Sequence, residues 1–310
     1  MNAIEVSGVS KTFTKKLTQK VKALEDISFE VPQGRVFGFI GPNGAGKSTT
    51  IKILMGLIKP DSGVASFFGK SCWDPASRNS VGFLAENPAY YDYLTPRELL
   101  TMVGQSFGMS TAVLAAKISE VLATVELSES ADRPLRTLSK GMVQRIGLGQ
   151  TLVHDPDLFI LDEPMSGLDP LGRGLVVEII KKLKAQGKTV FFSTHIIHDV
   201  ERVCDDVALI LKGRLKFRGS VKSVVSESFS RYELLVRVKN NAEYLPEVPP
   251  EGSVSVEGDH LRLVVPRDSL EKFMGSILGQ AEILSIEPER RSLEDIVLEL
   301  MKTAATQRNT

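Results

Sequence analysis

Residues 41–49 read Gly41-Pro42-Asn43-Gly44-Ala45-Gly46-Lys47-Ser48-Thr49. This stretch fits the phosphate-binding pattern G-x-x-x-x-G-K-[ST], with an apolar segment before it that predicts a strand and a segment after it that predicts a helix. Glycines let the backbone approach phosphates closely, and the amides at a helix N-terminus attract an anion. Lys47 is placed to reach the β- and γ-phosphates, and the Ser48 hydroxyl to bind Mg²⁺. The sequence therefore predicts a nucleotide-phosphate site.

The composition indicates a globular protein of roughly two domains. The chain has 310 residues, of which 42% are hydrophobic, and its 38 Lys and Arg balance its 38 Asp and Glu. This charge balance does not indicate nucleic acid or an anionic membrane as the main partner. Cys72 and Cys204 lack C-x-x-C spacing, which argues against a zinc site or a disulfide framework and suits a reducing cytosol.

The sequence predicts neither a signal peptide nor a membrane span. Residues 1–5 lack the charged and then apolar pattern of a signal peptide. No apolar run approaches the roughly 18–20 residues that a membrane-crossing helix requires. Any role at a membrane is therefore expected to come through a partner.

Periodicity along the chain predicts an α/β domain followed by a smaller α+β domain. In the first, strands are predicted at 4–9, 23–31, 36–40, 64–68, 81–85, 157–163 and 189–193, followed by a hairpin of strands 207–211 and 214–218 that turns at Lys212-Gly213. A helical insertion is predicted at about 87–150, where Thr95-Pro96-Arg97-Glu98 is a capping box with proline at the first helical position. The character of the sequence changes near Ser220, so residues 221–310 are predicted to form the second domain.

The predicted second domain contains no catalytic constellation. Its one histidine, His260, stands beside a predicted turn and is interpreted as solvated. A final helix is expected from about residue 292, with an apolar stripe formed by Leu293, Ile296, Val297, Leu300 and Met301. The stripe is expected to pack either on the sheet of its own domain or on another protomer or the first domain.

A second element of chemistry is the acidic pair Asp162-Glu163, which ends an apolar strand. Asp162 can hold Mg²⁺ directly or through water, and Glu163 is placed to activate an attacking water as general base. A phosphate loop followed by such a strand is an arrangement typical of hydrolases.

The order and spacing of five motifs resemble those of the ATP-binding-cassette (ABC) ATPases. The motifs are the Walker A loop at 41–49, the signature at 138–142 (LSKGM, usually LSGGQ), Walker B at 158–163, the D-loop at 166–169 and the switch histidine His195. The resemblance covers about residues 3–220. It implies a P-loop ATPase core at 1–220, with an N-terminal antiparallel β subdomain and a helical subdomain at about 87–150, and an accessory α+β domain at 221–310.

The resemblance also implies ATP and Mg²⁺ as cofactors, bound at a site that two protomers share. The residues implied for ATP binding are Phe13, Gly41, Pro42, Asn43, Gly44, Ala45, Gly46, Lys47, Ser48, Thr49, Ser139 and Gly141. The partner protomer would supply the last two. The implied metal ligands are Ser48, Glu86 and Asp162, and the implied catalytic residues are Lys47, Glu163 and His195. Composition alone would make Phe13 a core residue, whereas its position in the family would make it the aromatic that stacks on adenine.

Three departures from the family pattern matter for these assignments. Glu86 stands where the family has a glutamine that binds Mg²⁺, and its carboxylate can still do so. Lys140 and Met142 replace a glycine and a glutamine of the signature. These variants, a single cassette and the C-terminal extension resemble the ATPase subunits of multidrug, polysaccharide and related exporters.

That resemblance implies the motor subunit of an exporter whose membrane permease is a separate chain. The subunit would act as a homodimer or with a sister ATPase, peripherally on the inner face of the cell membrane. The loop from Glu86 to Tyr93, with three tyrosines, is expected to contact the permease or to pack within the helical subdomain. The alternative is a non-transport ABC ATPase acting on ribosomes or nucleic acid; such proteins usually carry two cassettes or long coiled coils, and the sequence indicates neither.

Overall fold

The structure is a computed structural model that describes residues 1–15, 19–226, 231–238, 248–250, 252–257, 260–278, 280–288, 293–295 and 297. The chain divides into two compact units, Met1–Gly219 and Ser220–Thr310. None of the helices in the described part of the chain is long and apolar enough to cross a membrane.

The described part of the first unit contains two sheets and six α-helices. Its strands are β1 (Asn2–Lys15), β2 (Gln19–Pro32), β3 (Val36–Ile40), β4 (Ser62–Phe67), β5 (Lys70–Ser71), β6 (Val81–Leu84), β7 (Leu158–Asp162), β8 (Thr189–Thr194), β9 (Asp206–Leu211) and β10 (Arg214–Ser220). Its helices are α1 (Lys47–Leu54), α2 (Pro96–Ser106), α3 (Thr111–Thr124), α4 (Lys140–Leu152), α5 (Pro170–Ala185) and α6 (Ile197–Val203). Short 3₁₀ turns lie at Pro75–Ser80, Ser128–Ser130 and Leu135–Thr137.

The larger sheet has the strand order β10-β9-β3-β8-β7-β6, and the pairs from β9 to β6 are parallel. Every residue of β3, β7 and β8 is buried, as expected for strands covered on both faces. The four rings of Phe29, Phe37, Phe39 and Phe191 stack at centroid distances of 5.4–6.0 Å and pack β2 against this sheet. Each such ring contributes about 1.5–3 kcal/mol through burial.

The second sheet, in the order β2-β1-β4-β5, is antiparallel. Its first two strands are longer than the segments 4–9 and 23–31 predicted from the sequence, because pairing continues as far as Lys15 opposite Gln19. The basic segment between the two predicted strands therefore forms β-strand at residues 10–15 and 19–22. Polar and charged side chains are compatible with a sheet edge that faces solvent.

The predicted helical insertion, at about 87–150, contains α2, α3 and most of α4. The predicted capping box is confirmed, because Thr95 Oγ1 accepts a hydrogen bond from Glu98 N (3.2 Å) and Glu98 Oε2 accepts one from Thr95 N (2.8 Å). These two bonds satisfy amides that would otherwise lack partners in the first turn of α2.

The described part of the second unit contains an antiparallel sheet, two α-helices, and further helical residues at 293–295 and 297, where a final helix was predicted. Its elements are α7 (Val221–Ser226), β11 (Arg231–Val238), β12 (Ser253–Glu257), β13 (His260–Pro266), α8 (Leu270–Ile277) and β14 (Ala281–Pro288), with the strand order β12-β13-β11-β14. Phe273 and Ile277 of α8 pack on Leu234 and Leu263 of the sheet. His260, interpreted from sequence as solvated, is half-buried, with Nε2 3.1 Å from Arg237 Nη2.

Only part of the predicted apolar stripe at the end of this unit lies within the described residues. Leu293 and Val297 are buried. Ile296, Leu300 and Met301 lie outside the described residues. What the stripe packs against stays a prediction.

Candidate functional site

The strand order brings three loops to one edge of the larger sheet. The phosphate loop follows β3, the acidic pair ends β7, and Thr194-His195 ends β8. Because β8 pairs with both β3 and β7 in parallel, the carboxyl ends of all three strands are neighbours. Ligands bind at this edge in open α/β sheets.

The backbone of the phosphate loop requires its glycines. Gly44 and Gly46 have φ values of 77° and 116°, a region that other residues rarely adopt. A Cβ on Gly46 would also lie 2.9 Å from Ala23 O and 2.7 Å from Leu24 Cδ2. The loop is closed by the Ala45 amide, which donates to Pro42 O (3.1 Å). Both conformation and space therefore fix this loop next to the N-terminus of α1.

The three residues implied as catalytic form one chain of contacts. Lys47 Nζ donates to Gly41 O (2.7 Å) and lies 3.1 Å from Glu163 Oε1. The other carboxylate oxygen, Glu163 Oε2, lies 3.0 Å from His195 Nδ1. The side chains of Lys47 and Glu163 are only 6% and 7% exposed, whereas that of His195 is 45% exposed. Within this buried ion pair, each charge compensates the other.

Asp162 lies beside Ser48, as the assignment of both to a metal site requires. Asp162 Oδ1 accepts a hydrogen bond from the Ser193 hydroxyl (2.5 Å). Burial raises the pKa of Asp162 above its usual value, and the hydroxyl groups of Ser193 and the neighbouring Ser48 act in the opposite direction. The carboxyl group is thus held in a dry position with its oxygens already oriented.

Ser193 is a functional residue that the sequence analysis missed. Its hydroxyl donates to Asp162 and accepts from the Glu163 amide (3.1 Å), which also lies 3.2 Å from Ser193 O. One side chain on β8 therefore orients both acids at the end of β7. The available signal was a pair of hydroxyl residues ending an apolar strand immediately before His195.

We expect Asp162→Asn to stabilise the chain in the absence of divalent metal. Because the pKa of Asp162 is raised above 3.8 in the folded state, the folded chain favours the protonated form. The stability that the protonated carboxyl group contributes is present below pH 3.8 and is lost as the pH rises through the folded-state pKa of Asp162. Asparagine does not titrate, so the substituted chain does not undergo this loss. Thermal melts in chelator at neutral pH should show a Tm raised by at least about 2 °C, the effect of roughly 1 kcal/mol in a domain of this size.

The matched control is Asp132→Asn. The pKa of the Asp132 carboxylate is lowered, because Arg97 donates a hydrogen bond to it. That substitution should leave Tm unchanged or slightly lower. A Tm for Asp162→Asn equal to or below that of the wild type at neutral pH would contradict the prediction.

Glu86 and Phe13 occupy different positions relative to the phosphate loop. Glu86 lines the same pocket as the loop, together with Glu163 and Ala23. Phe13 lies on β1, 38% exposed, and Lys11 Nζ lies 5.7 Å from the centre of its ring. The core interpretation of Phe13 is therefore wrong, and stacking on a base stays a prediction.

The signature residues lie in a separate cavity. Ser139 caps α4, since its Oγ accepts a hydrogen bond from Met142 N (3.2 Å). Ser139 and Gly141 line a surface cavity with Gly167 and Asp169, and the side chain of Lys140 lies against Gly167. The lining of this cavity and that of the phosphate-loop pocket share no residue within one chain.

Comparison with known proteins gives a consistent result. Residues 24–166 match the family model described as ABC transporter. An uncharacterised ABC transporter ATP-binding protein of Synechocystis sp. is 38% identical over 97% of this chain and 85% of its own length. Nod factor export ATP-binding protein I of a Rhizobium sp. is 33% identical, covering 96% of both chains. A solved structure titled as the ATP-binding subunit of an ABC transporter shares 33% identity and a TM-score of 0.66, over 73% of this chain and 92% of that one.

Proposed function

Because this chain belongs to the ATP-binding proteins of ABC transporters, we propose that it is the motor subunit of an exporter, with its ATP site formed by the residues described above. The chain is an ATPase of this family. The observation that carries the site assignment is the contact chain Lys47–Glu163–His195 at the phosphate loop. Export is supported by the relative that is named for Nod factor export.

The geometry supports hydrolysis with Glu163 as the general base. The phosphates of ATP would occupy the loop between Gly41 and Thr49, where amides and the α1 N-terminus favour an anion. Lys47, already within reach of the loop, would transfer its contact from Glu163 to the phosphates. Glu163, relieved of that ion pair, could accept a proton from the attacking water, while His195 holds its second oxygen.

The residues at this edge fit Mg²⁺ as the metal. Mg²⁺ prefers oxygen ligands and is usually held by one or two carboxylates together with substrate phosphates. Asp162, which accepts a hydrogen bond from Ser193 and lies near Ser48, and Glu86 on the pocket wall are such donors. The ion would neutralise charge developing on the phosphates. We propose Ser48, Asp162 and Glu86 as the residues that would hold it.

ATP-binding subunits of ABC transporters dimerise and work with membrane permeases. We extend this to a homodimer, or a dimer with a sister chain, in which Ser139 and Gly141 of one protomer close the site of the other. The separation of the two cavities within one chain supports this arrangement. A capped helix N-terminus would then meet the γ-phosphate from the side opposite to the loop.

The loop from Glu86 to Tyr93 is the proposed contact with the permease. Tyr91 and Tyr93 are 61% and 60% exposed, and their ring centres are 5.6 Å apart. Tyr90 instead turns inward, where its buried hydroxyl lies against Gly147 of α4. The three tyrosines thus divide between the two alternatives, one packing within the unit and two forming an exposed aromatic surface. Aromatic residues are enriched at interfaces.

This proposal predicts crosslinks from the loop to a membrane protein. A photoreactive side chain at Tyr91 or Tyr93, in the chain expressed in its own host, should crosslink to a protein with several membrane spans, identified by mass spectrometry. The control position is Val113, which is comparably exposed on α3. Crosslinks to such a protein from Val113 but from neither tyrosine would contradict the proposed contact. Crosslinks only to ribosomal or nucleic-acid-bound proteins would favour the non-transport alternative.

Location and domain roles follow from this function. The chain would sit at the inner face of the cell membrane through its permease. Residues 1–220 would form the ATPase domain, and residues 221–310 an accessory domain that is not needed for the chemistry.

A further inference from the structure

Gln144 connects helix α4 to the backbone that carries Glu163. It lies in the second turn of α4 and is 7% exposed. Its Nε2 donates to Pro164 O (3.2 Å) and to Glu163 O (3.4 Å). Both neighbours are carbonyl oxygens, which only accept hydrogen bonds, so the NH₂ group of the side-chain amide faces them.

The backbone that Gln144 holds is conformationally strained. Glu163 has φ 51°, in the left-handed region, although it is not a glycine. Such a residue persists only when its surroundings fix it from several sides. The Ser193 hydroxyl accepts a hydrogen bond from the Glu163 amide. The carbonyl oxygen of Glu163 accepts hydrogen bonds from Ser166 N (3.0 Å) and from the Gln144 side chain. The carboxylate reaches Lys47 and His195 from this fixed main chain.

We propose that Gln144 is a positioning residue for hydrolysis, which makes the orientation of the Glu163 carboxylate depend on helix α4. The inference rests on the proposed role of Glu163 as general base. Gln144 lies five residues from Ser139, about 7 Å along the helix at 1.5 Å per residue. The end of α4 that would bind the ATP of the partner protomer is therefore joined by one rigid turn to the general base of its own site.

Steady-state hydrolysis of Mg-ATP and equilibrium binding of ATP test this proposal. Gln144→Met keeps the length of the side chain and removes its donors, and Gln144→Glu keeps its shape but, when ionised, can only accept hydrogen bonds. Both should lower kcat about 10- to 100-fold, the cost of a misplaced catalytic group, while the Kd for ATP stays within about twofold of the wild type. Unchanged ATP binding also shows that each variant is folded. The matched control, Gln150→Met, lies six residues further along α4 and should retain wild-type kcat.

A double variant separates positioning from a general structural effect. In a Glu163→Gln background, Gln144→Met should cause no further loss of turnover, because the group that it positions is already replaced. A wild-type kcat in both Gln144 variants, or a further loss of the same size in that background, would overturn the proposal. Wild-type turnover in the single variant Glu163→Gln would instead refute the role of Glu163 as general base. Failure of the Gln144 proposal and failure of the proposed role of Glu163 are therefore detected in different variants.

Discussion

Glu163→Gln is expected to bind ATP and to hydrolyse it at least about 100-fold more slowly than the wild type, since a general base contributes about 10²–10⁴-fold to the rate. The substituted amide keeps the size of the side chain and its contact with Lys47, but it cannot accept a proton. With hydrolysis blocked, the ATP-bound dimer should accumulate.

Steady-state phosphate release measures the rate, and light scattering with ATP measures the dimer. The matched control is Glu178→Gln, which makes the same chemical change at an exposed position on α5 paired with Lys181. Turnover near the wild-type rate in Glu163→Gln would refute the assignment of the general base.

Lys47→Met is expected to weaken ATP binding by about 10- to 100-fold or more, the range that loss of one or two charge-assisted hydrogen bonds gives. The substitution removes the cation that faces the phosphates. It also leaves the Glu163 carboxylate buried without its ion-pair partner, so that a negative charge would face the incoming nucleotide. Both consequences oppose binding.

Titration calorimetry with ATP in the presence of Mg²⁺ gives the affinity directly. Lys52→Met is the matched control, because Lys52 lies on the same helix with its side chain exposed. An affinity for Lys47→Met within about twofold of the wild type would show that the phosphates bind elsewhere.

Local features of the molecule followed from the sequence. The phosphate loop could be predicted because three closely spaced glycines, a lysine and a serine specify its backbone with little help from distant residues. The capping box at Thr95 depends on residues three positions apart, so it too could be predicted. The buried strands β3, β7 and β8 were evident from continuous apolar runs, since both of their faces are covered.

Other features depended on which elements lie side by side. Ser193 touches both Asp162 and Glu163 only because β8 pairs with β7, 31 residues away in sequence in the case of Asp162. Gln144 reaches Glu163 O across 19 residues because the fold places α4 beside the segment that follows β7. The division of the tyrosines, with Tyr90 inward against Gly147 and its neighbours exposed, likewise required the packing of α4.

The sequence by itself determined the chemistry that we propose for this protein, because the groups proposed to hold phosphate and to activate water come in short motifs of fixed spacing. The tertiary structure alone decided how those groups are oriented. Orientation depends on hydrogen bonds between segments that are far apart in the chain. Strand order and helix packing determine those bonds, and neither can be predicted from any single motif.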